Sequence, residues 1–451
     1  MCSLLSFWGF YLTVKPNIPT LLIFVPEITP RVQYILDFLG KEIMQQGFEL
    51  TSDKKAFLEY NKSCINYSTE RLRTDELFIE AHPLLFQKTI IPQEITCFDV
   101  NGYKAFFKTN GDYPFDIFAA SFYLISRYEE YFPHKKDSYG RYAHENALAF
   151  REGFLNLPLV NIWLQYFKER LKQHFPSLVF KSSSFLLLPT YDIDIAWSYK
   201  HKGWWRQLGG FTRSILKGDW KAVKDRIAVL RGKQKDPFDA YGWMNQLHEK
   251  KKLRPYYFFL LAEKNGRYDK NISPAKKAMK ELISDHLIRY PVGIHPSWQS
   301  GDDERLLQGE ITQLSAINGN PIVSSRQHYI RFALPETFRK LIANKIGFDF
   351  SMGYGSINGF RASVATPFYW YDLNAETATN LLLFPFCFME ANSFYEQHYP
   401  PQQALEEMRH YYKEVKQVQG TFIMIWHNSF LGTDKLYEGW KEAYETFMNE
   451  I

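Results

Sequence analysis

From about residue 183 onward, short apolar runs alternate with amphipathic stretches of helical period, and this rhythm constrains the fold more than any other feature. The runs "FLLLPTYD", "RPYYFFLLA", "YPVGIH", "PIVSSR", "IGFDFSM", "NLLLFPFCF" and "TFIMIWH" read as strands. Among them, "DAYGWMNQLHEKKKL", "SPAKKAMKELISDH", "DERLLQGEITQLSAI", "PETFRKLIANK" and "PQQALEEMRHYYKEVKQ" read as helices. Each helical crossover returns the chain to the same end of the sheet, so successive strands run parallel. An α/β domain built on a parallel sheet or barrel is expected over residues 183–451. Residues 1–182 carry a less regular mixture, with strand-like "TLLIFVPEI", "ITCFDV" and "YKAFFKT", a helix over Asp116–Phe132 and another over "LVNIWLQYFKERLKQHF". They are expected to form a smaller mixed α/β domain, and a chain of 451 residues has room for both units.

The predicted strands end in polar or ionisable residues: Asp192 and Asp194, His295, Arg326, Asp349 and His427. In a parallel barrel the C-terminal strand ends gather on one face. An apolar strand that runs straight into charge has a burial cost to offset, and its recurrence points to a shared site. The sharpest case is "TYDIDIAW", Thr190 to Trp197. Side chains alternate across an extended backbone, so Asp192 and Asp194 project to the same side. Two carboxylates so close raise each other's pKa unless a cation or a proton lies between them. The pair admits a metal site, an acid/base role or a helix cap. Cysteine chemistry does not compete: Cys2, Cys64, Cys97 and Cys387 are scattered without CxxC spacing, which argues against a cysteine zinc site and a disulfide scaffold.

These motifs, in this order, resemble the polysaccharide deacetylase (NodB homology) family over about residues 185–435. "TYDID" stands where that family has adjacent aspartates, and "GIHPSWQS" where it has a histidine pair. "SSRQHYIRF" answers its arginine motif, and "MIWHNSFL" its final leucine-x-histidine motif. The resemblance implies a deformed (β/α) barrel and a metal-dependent hydrolase that removes acetyl groups from an N-acetylated saccharide or glycoconjugate. It implies Asp192 as general base, His427 as general acid, and Arg326 as the group that orients the base or the acetyl. It also implies a divalent metal, Zn2+ for mixed His/Asp ligands, held by Asp194 and His295. The match departs in two places: Ile193 separates the aspartates, and Gln299 occupies the place of the second metal histidine. His328, in "RQH", is the preferred third ligand, since imidazole binds such ions better than an amide. Residues 1–182 resemble an accessory module found ahead of such domains, one without a known activity.

Two other readings compete. Asp-x-Asp after an apolar strand is also how a Mn2+-dependent nucleotide-sugar glycosyltransferase holds a diphosphate, although this leaves His295 and His427 without a role. The incomplete histidine motif also fits a catalytically inactive carbohydrate-binding homologue. Arg326 and Asp349 could instead pair across strand ends. Arg361, in the turn-like "GFRASV", reads as a local salt-bridge partner, with contact to an acidic substrate as the alternative.

The net charge is only +5, but Lys200–Lys235 holds eleven Lys or Arg against Asp219 and Asp225, with Trp204, Trp205 and Trp220 among them. This segment follows the first strand of the larger domain and is expected to overhang the site. It suits an anionic sugar, a nucleic acid or an anionic membrane surface, or forms a lid whose tryptophans pack on the barrel. A saccharide, and not a nucleic acid, is the expected partner. The start "MCSLLSFWGFYLTVKPNIP" lacks a basic lead and a cleavage site, and its apolar run is too short to span a bilayer. A cytoplasmic protein without a transmembrane segment is expected.

Overall fold

The computed structural model describes residues 21–451 except Ser182 and Lys217, so the apolar start and Cys2 lie outside the described residues. Four short strands form a parallel sheet: β1 (Leu21–Phe24), β2 (Phe48–Thr51), β3 (Cys64–Ser68) and β4 (Leu77–Glu80), in the order β2-β1-β3-β4. The helix Pro30–Asp37 carries the chain from β1 toward β2. Thr29 caps it by accepting from the Val32 amide, and Pro30 begins it at a position where no N–H is needed. β5 (Phe98–Val100) and β6 (Tyr103–Ala105) make an antiparallel hairpin. Its turn residues Asn101 and Gly102 both lie in the left-handed region, as the tight hairpin turn requires.

The helix expected over Asp116–Phe132 is shorter. It spans Ile117–Ile125, capped by Asp116, and a 3₁₀ turn follows at Tyr128–Tyr131. The break falls at Arg127, whose backbone is left-handed at φ +54°. Its guanidinium is drawn to Glu130 and to the Arg361 carbonyl, so the chain reverses where the apolar periodicity alone would continue. The second predicted helix is present at Leu159–His174.

The larger sheet has nine strands: β7 (Leu186–Ile193), β8 (Tyr256–Leu260), β9 (Val292–His295), β10 (Ser324–Ser325), β11 (Phe348–Asp349), β12 (Phe368–Asp372), β13 (Thr377–Leu383), β14 (Phe388–Met389) and β15 (Thr421–His427). All pairings are parallel except the β12–β13 hairpin. Predicted helices flank them at Tyr241–Lys251, Lys277–Arg289, Glu304–Asn318, Glu336–Ala343 and Pro401–Gln417, and Trp440–Glu450 closes the chain. The bonded order β12-β13-β11-β10-β9-β8-β7-β15-β14 does not close on itself. It is strongly curved all the same. Strands three apart in a flat sheet are separated by about 14 Å. Yet Arg326, next to β10, reaches Asp192 on β7 at 2.8 Å, its guanidinium lying over Phe258 of the intervening β8.

One hydrophobic core runs through both sheets, from Leu21 to Met448. Across it, Tyr34 donates to the Tyr369 carbonyl at 2.6 Å, the Val160 amide to the Ser363 carbonyl at 3.0 Å, and Arg31 pairs with Glu376. Arg361 is not a local partner as expected. Its guanidinium is fully buried and donates to both oxygens of Glu130, at 2.9 and 2.6 Å, because Arg127 brings that carboxylate under it. The N-terminal segment is thus built into the larger unit by charge as well as by apolar packing.

Candidate functional site

The longest ladder in the larger sheet, β7 with β15, runs in register from Leu186↔Thr421 to Asp192↔His427. Two residues 235 positions apart are therefore brought side by side at the strand ends by backbone pairing alone. β8 continues the register, with Leu260 opposite His295 of β9. Asp194 lies one residue beyond the end of β7 and turns inward to the point where these ends converge.

Three imidazoles surround it. Nε2 of His295 lies 3.1 Å from Asp194 Oδ1, and Nε2 of His328 and of His427 each lie 3.4 Å from Oδ2. In every case the other ring nitrogen is fixed by an acceptor. His295 Nδ1 donates to the Arg326 carbonyl at 2.5 Å, His328 Nδ1 to Asp269 at 2.9 Å, and His427 Nδ1 to Glu390 at 2.6 Å. Since carbonyls and carboxylates only accept, Nδ1 carries the proton, and in the neutral rings all three Nε2 lone pairs face the centre. Asp194 Oδ1 is buried, and with His295 Nε2 unprotonated 3.1 Å away it accepts no hydrogen bond. A buried carboxylate oxygen left in that state costs free energy unless something cationic satisfies it.

The electrostatics agree. Burial opposes ionisation of Asp194, yet the His328, His427 and His295 rings hold it well below the usual carboxylate range. Burial also works against charge on His328, but Asp194 and Asp269 push it up to about 9. His427 is driven well above its ordinary value, Glu390 and Asp194 outweighing its burial. The carboxylates thus favour protons on His328 and His427, and a cation at the centre would displace them. Ligand atoms of Asp194, His295 and His328 lie within 4.8 Å of one another, so this group could bind a metal ion. Gln299, which holds the place of the second metal histidine, is exposed.

Asp192 sits beside this group, with Oδ2 3.8 Å from His295 Nε2. Its Oδ1 accepts from Arg326 Nη1 at 2.8 Å, and Arg326 also donates to Thr190 Oγ1 and to the Phe350 carbonyl. Arg326 therefore pairs with Asp192 and not with Asp349. Burial lifts Asp349 to about 6, against hydrogen bonds from Ser325 and Ser351.

The cluster opens into a cavity of about 600 Å³ whose lining includes Asp192, Asp194, His295, His328 and His427. Tyr139 stacks on Tyr329 at 5.2 Å and Phe430 on Tyr437 at 4.0 Å, giving the walls flat apolar faces with hydroxyl edges. Ser138, Tyr139 and Arg141 reach this wall from the N-terminal segment, where Arg141 donates to the Tyr329 carbonyl at 2.7 Å. The sequence reading missed that contribution, together with Asp269 and Glu390. Glu390 follows the apolar "FCFM", so the strand-end rule applied to the other residues would have found it. Asp269 lies in a loop with no such signal.

The basic segment forms two helices, Trp204–Leu216 and Trp220–Leu230. Trp204 and Trp220 are 64% and 62% exposed, so they do not pack on the sheet as the lid reading required; the Trp205 side chain lies outside the described residues. No described helix is long and apolar enough to cross a membrane.

A model of a family of unknown function (DUF7033) matches residues 21–176. No curated protein matches the chain. Similar solved structures include one assigned to the polysaccharide deacetylases from Mycobacterium smegmatis, at 14% identity and TM-score 0.38 over 60% of this chain and 84% of that one. Another is a polysaccharide deacetylase from Bacillus cereus, at 9% identity and TM-score 0.30 over 59% of this chain and 88% of that one.

Proposed function

We propose that the chain is a metal-dependent hydrolase that removes acetyl groups from an N-acetylated saccharide or glycoconjugate. The observation that carries this reading is the Asp194 carboxylate, its Oδ1 buried, with three imidazole nitrogens arrayed around it at 3.1–3.4 Å. Asp194, His295 and His328 would hold the ion, and Zn2+ suits this mixed set with one side open to a cavity. When bound, the ion supplies Lewis acidity toward a water and an acyl oxygen.

The remaining roles are assigned in this reading to Asp192, Arg326 and His427. Arg326 occupies one oxygen of Asp192 and leaves Oδ2 facing the centre, where it takes the proton of the attacking water. His427, locked through Nδ1 by Glu390, presents Nε2 to the cavity and returns a proton to the departing amine as the C–N bond breaks. The products are acetate and the free amino sugar. A positioned acid or base of this kind contributes on the order of 10²–10⁴-fold. The stacked tyrosines suit the flat faces and hydroxyl rims of a sugar. Residues 1–182 serve here as an accessory domain that completes the substrate groove through Ser138, Tyr139 and Arg141. The Asp192–Arg326 pair counts against an Asp-x-Asp diphosphate clamp, since it ties up one of the two oxygens of that carboxylate.

The test is metal analysis together with acetate release on N-acetylated oligosaccharides. Asp194→Ala is expected to empty the site, and Asp192→Asn to keep the metal and stop turnover. Full metal retention by Asp194→Ala would overturn the assignment.

A further inference from the structure

Among the described residues, the helical pair Trp204–Leu216 and Trp220–Leu230 adds none to the cavity lining, yet it lies in the strongly basic segment and carries several exposed apolar side chains. Leu208, Phe211 and Ile215 recur at helical spacing on the first helix, which places them along one stripe. Leu208 is 53% exposed, Ile215 46% and Leu216 82%. The second helix opens on Trp220, 62% exposed, and closes on Leu230, 43% exposed. The exposed Lys221, Lys224, Arg231 and Lys233 belong to the same unit.

The two helices form one compact element. A side-chain carbon on Gly210 would lie 2.4 Å from the Arg226 guanidinium, so the glycine admits that side chain. Arg226 then sits over Tyr199 at 4.6 Å and over Phe211 at 5.4 Å. Asp219 caps the second helix by accepting from the Ala222 amide. One of the two acids in the segment is thereby occupied, and the surface left over is basic.

We propose that this helical pair is a docking surface for an anionic lipid bilayer, its leucine, isoleucine and tryptophan side chains entering the headgroup boundary and its lysines and arginines meeting lipid phosphates. Charge complementarity selects this partner: Lys221, Lys224, Arg231 and Lys233 are exposed, in a segment whose sequence holds eleven basic residues against two acids. A nucleic acid would satisfy the charge but leave the aliphatic stripe in water, whereas a bilayer satisfies both. The inference does not depend on the chemistry of the cavity.

The test is co-sedimentation of the whole protein with vesicles of phosphatidylcholine alone and of phosphatidylcholine mixed with phosphatidylglycerol. Apparent affinity for the anionic vesicles is expected to be about tenfold higher or more, a factor that one or two basic side chains at such a surface supply. The double variant Leu208→Ser, Ile215→Ser alters only exposed positions and is expected to lose most binding to the anionic vesicles. Lys221→Glu with Lys224→Glu is expected to abolish the preference for anionic lipid. Equal binding to both vesicle types, binding to neither, or salt-sensitive binding to duplex DNA without vesicle binding would each overturn the proposal. So would anionic-vesicle binding that the Leu208/Ile215 variant leaves intact while its far-ultraviolet circular dichroism is unchanged.

Discussion

Asp269 offers the most discriminating perturbation, because it reaches the candidate metal site through His328. It is buried, and its Oδ1 accepts both His328 Nδ1 and the Trp298 amide, each at 2.9 Å. Asp269→Asn preserves the shape and leaves a carbonyl oxygen for both donors, but removes the negative charge that makes His328 Nε2 a stronger donor to a cation. Asp269→Ala removes the oxygen as well and leaves the buried Nδ1–H without its acceptor. A carboxylate behind a ligating histidine is worth about 10–100-fold in metal affinity. That range corresponds to about 1.4–2.7 kcal/mol. The Asn variant is expected near the lower end, the Ala variant near the upper, and His328→Ala beyond both. The assay is competition for Zn2+ against a chromophoric chelator, with near-ultraviolet circular dichroism to confirm that each variant is folded. If both Asp269 variants bound Zn2+ as tightly as the unaltered protein while His328→Ala lost it, support of His328 by this carboxylate would be refuted. If His328→Ala also bound normally, the ligand set itself would be wrong.

Two further expectations follow from buried contacts away from the metal group. Glu130 is held down to about 2, its burial outweighed by Arg361 and Arg127. Its folded value lies below the unfolded value of about 4.3, so its contribution is fully present above that pH and is lost as the pH falls toward about 2. Urea unfolding of Glu130→Gln is therefore expected to show a flatter acid dependence in that window, and Glu130→Ala to cost about 3–5 kcal/mol at neutral pH by taking its carboxylate from the buried Arg361 guanidinium, while Arg127 keeps Glu129. Identical acid profiles for the unaltered protein and Glu130→Gln would contradict this. In β9, a side-chain carbon on Gly293 would lie 2.6 Å from the Phe258 ring and 2.8 Å from the Ser324 carbonyl. Gly293→Ala is expected to destabilise by about 1–3 kcal/mol in denaturant titration, and unchanged stability would show that the sheet yields there more easily than its packing implies.

Much of the site was legible in the residues because backbone geometry is local. Period-2 and period-3.6 patterns mark strands and helices wherever they occur. A strand that ends in Asp, His or Arg declares that end polar, which is how Asp192, Asp194, His295, Arg326 and His427 could be named from the chain alone. The fold class followed from the same alternation, and its mostly parallel larger sheet is what such alternation requires. The limits of that reasoning are equally specific. Helical periodicity ran through Arg127, but the chain turns there because a carboxylate three residues on and a carbonyl 234 residues away both claim its guanidinium.

The sequence by itself determined which residues stand at strand ends and which elements alternate, since each is a property of a few neighbouring residues. Only the tertiary structure decided the pairings: His328 with Asp269, His427 with Glu390, Asp192 with Arg326, and Glu130 with Arg361. It also decided that Tyr139 and Arg141 of the N-terminal segment border the same cavity. Partners across 37 to 231 residues are set by strand register and by the curl of the sheet, and no periodicity along the chain encodes a distance through space.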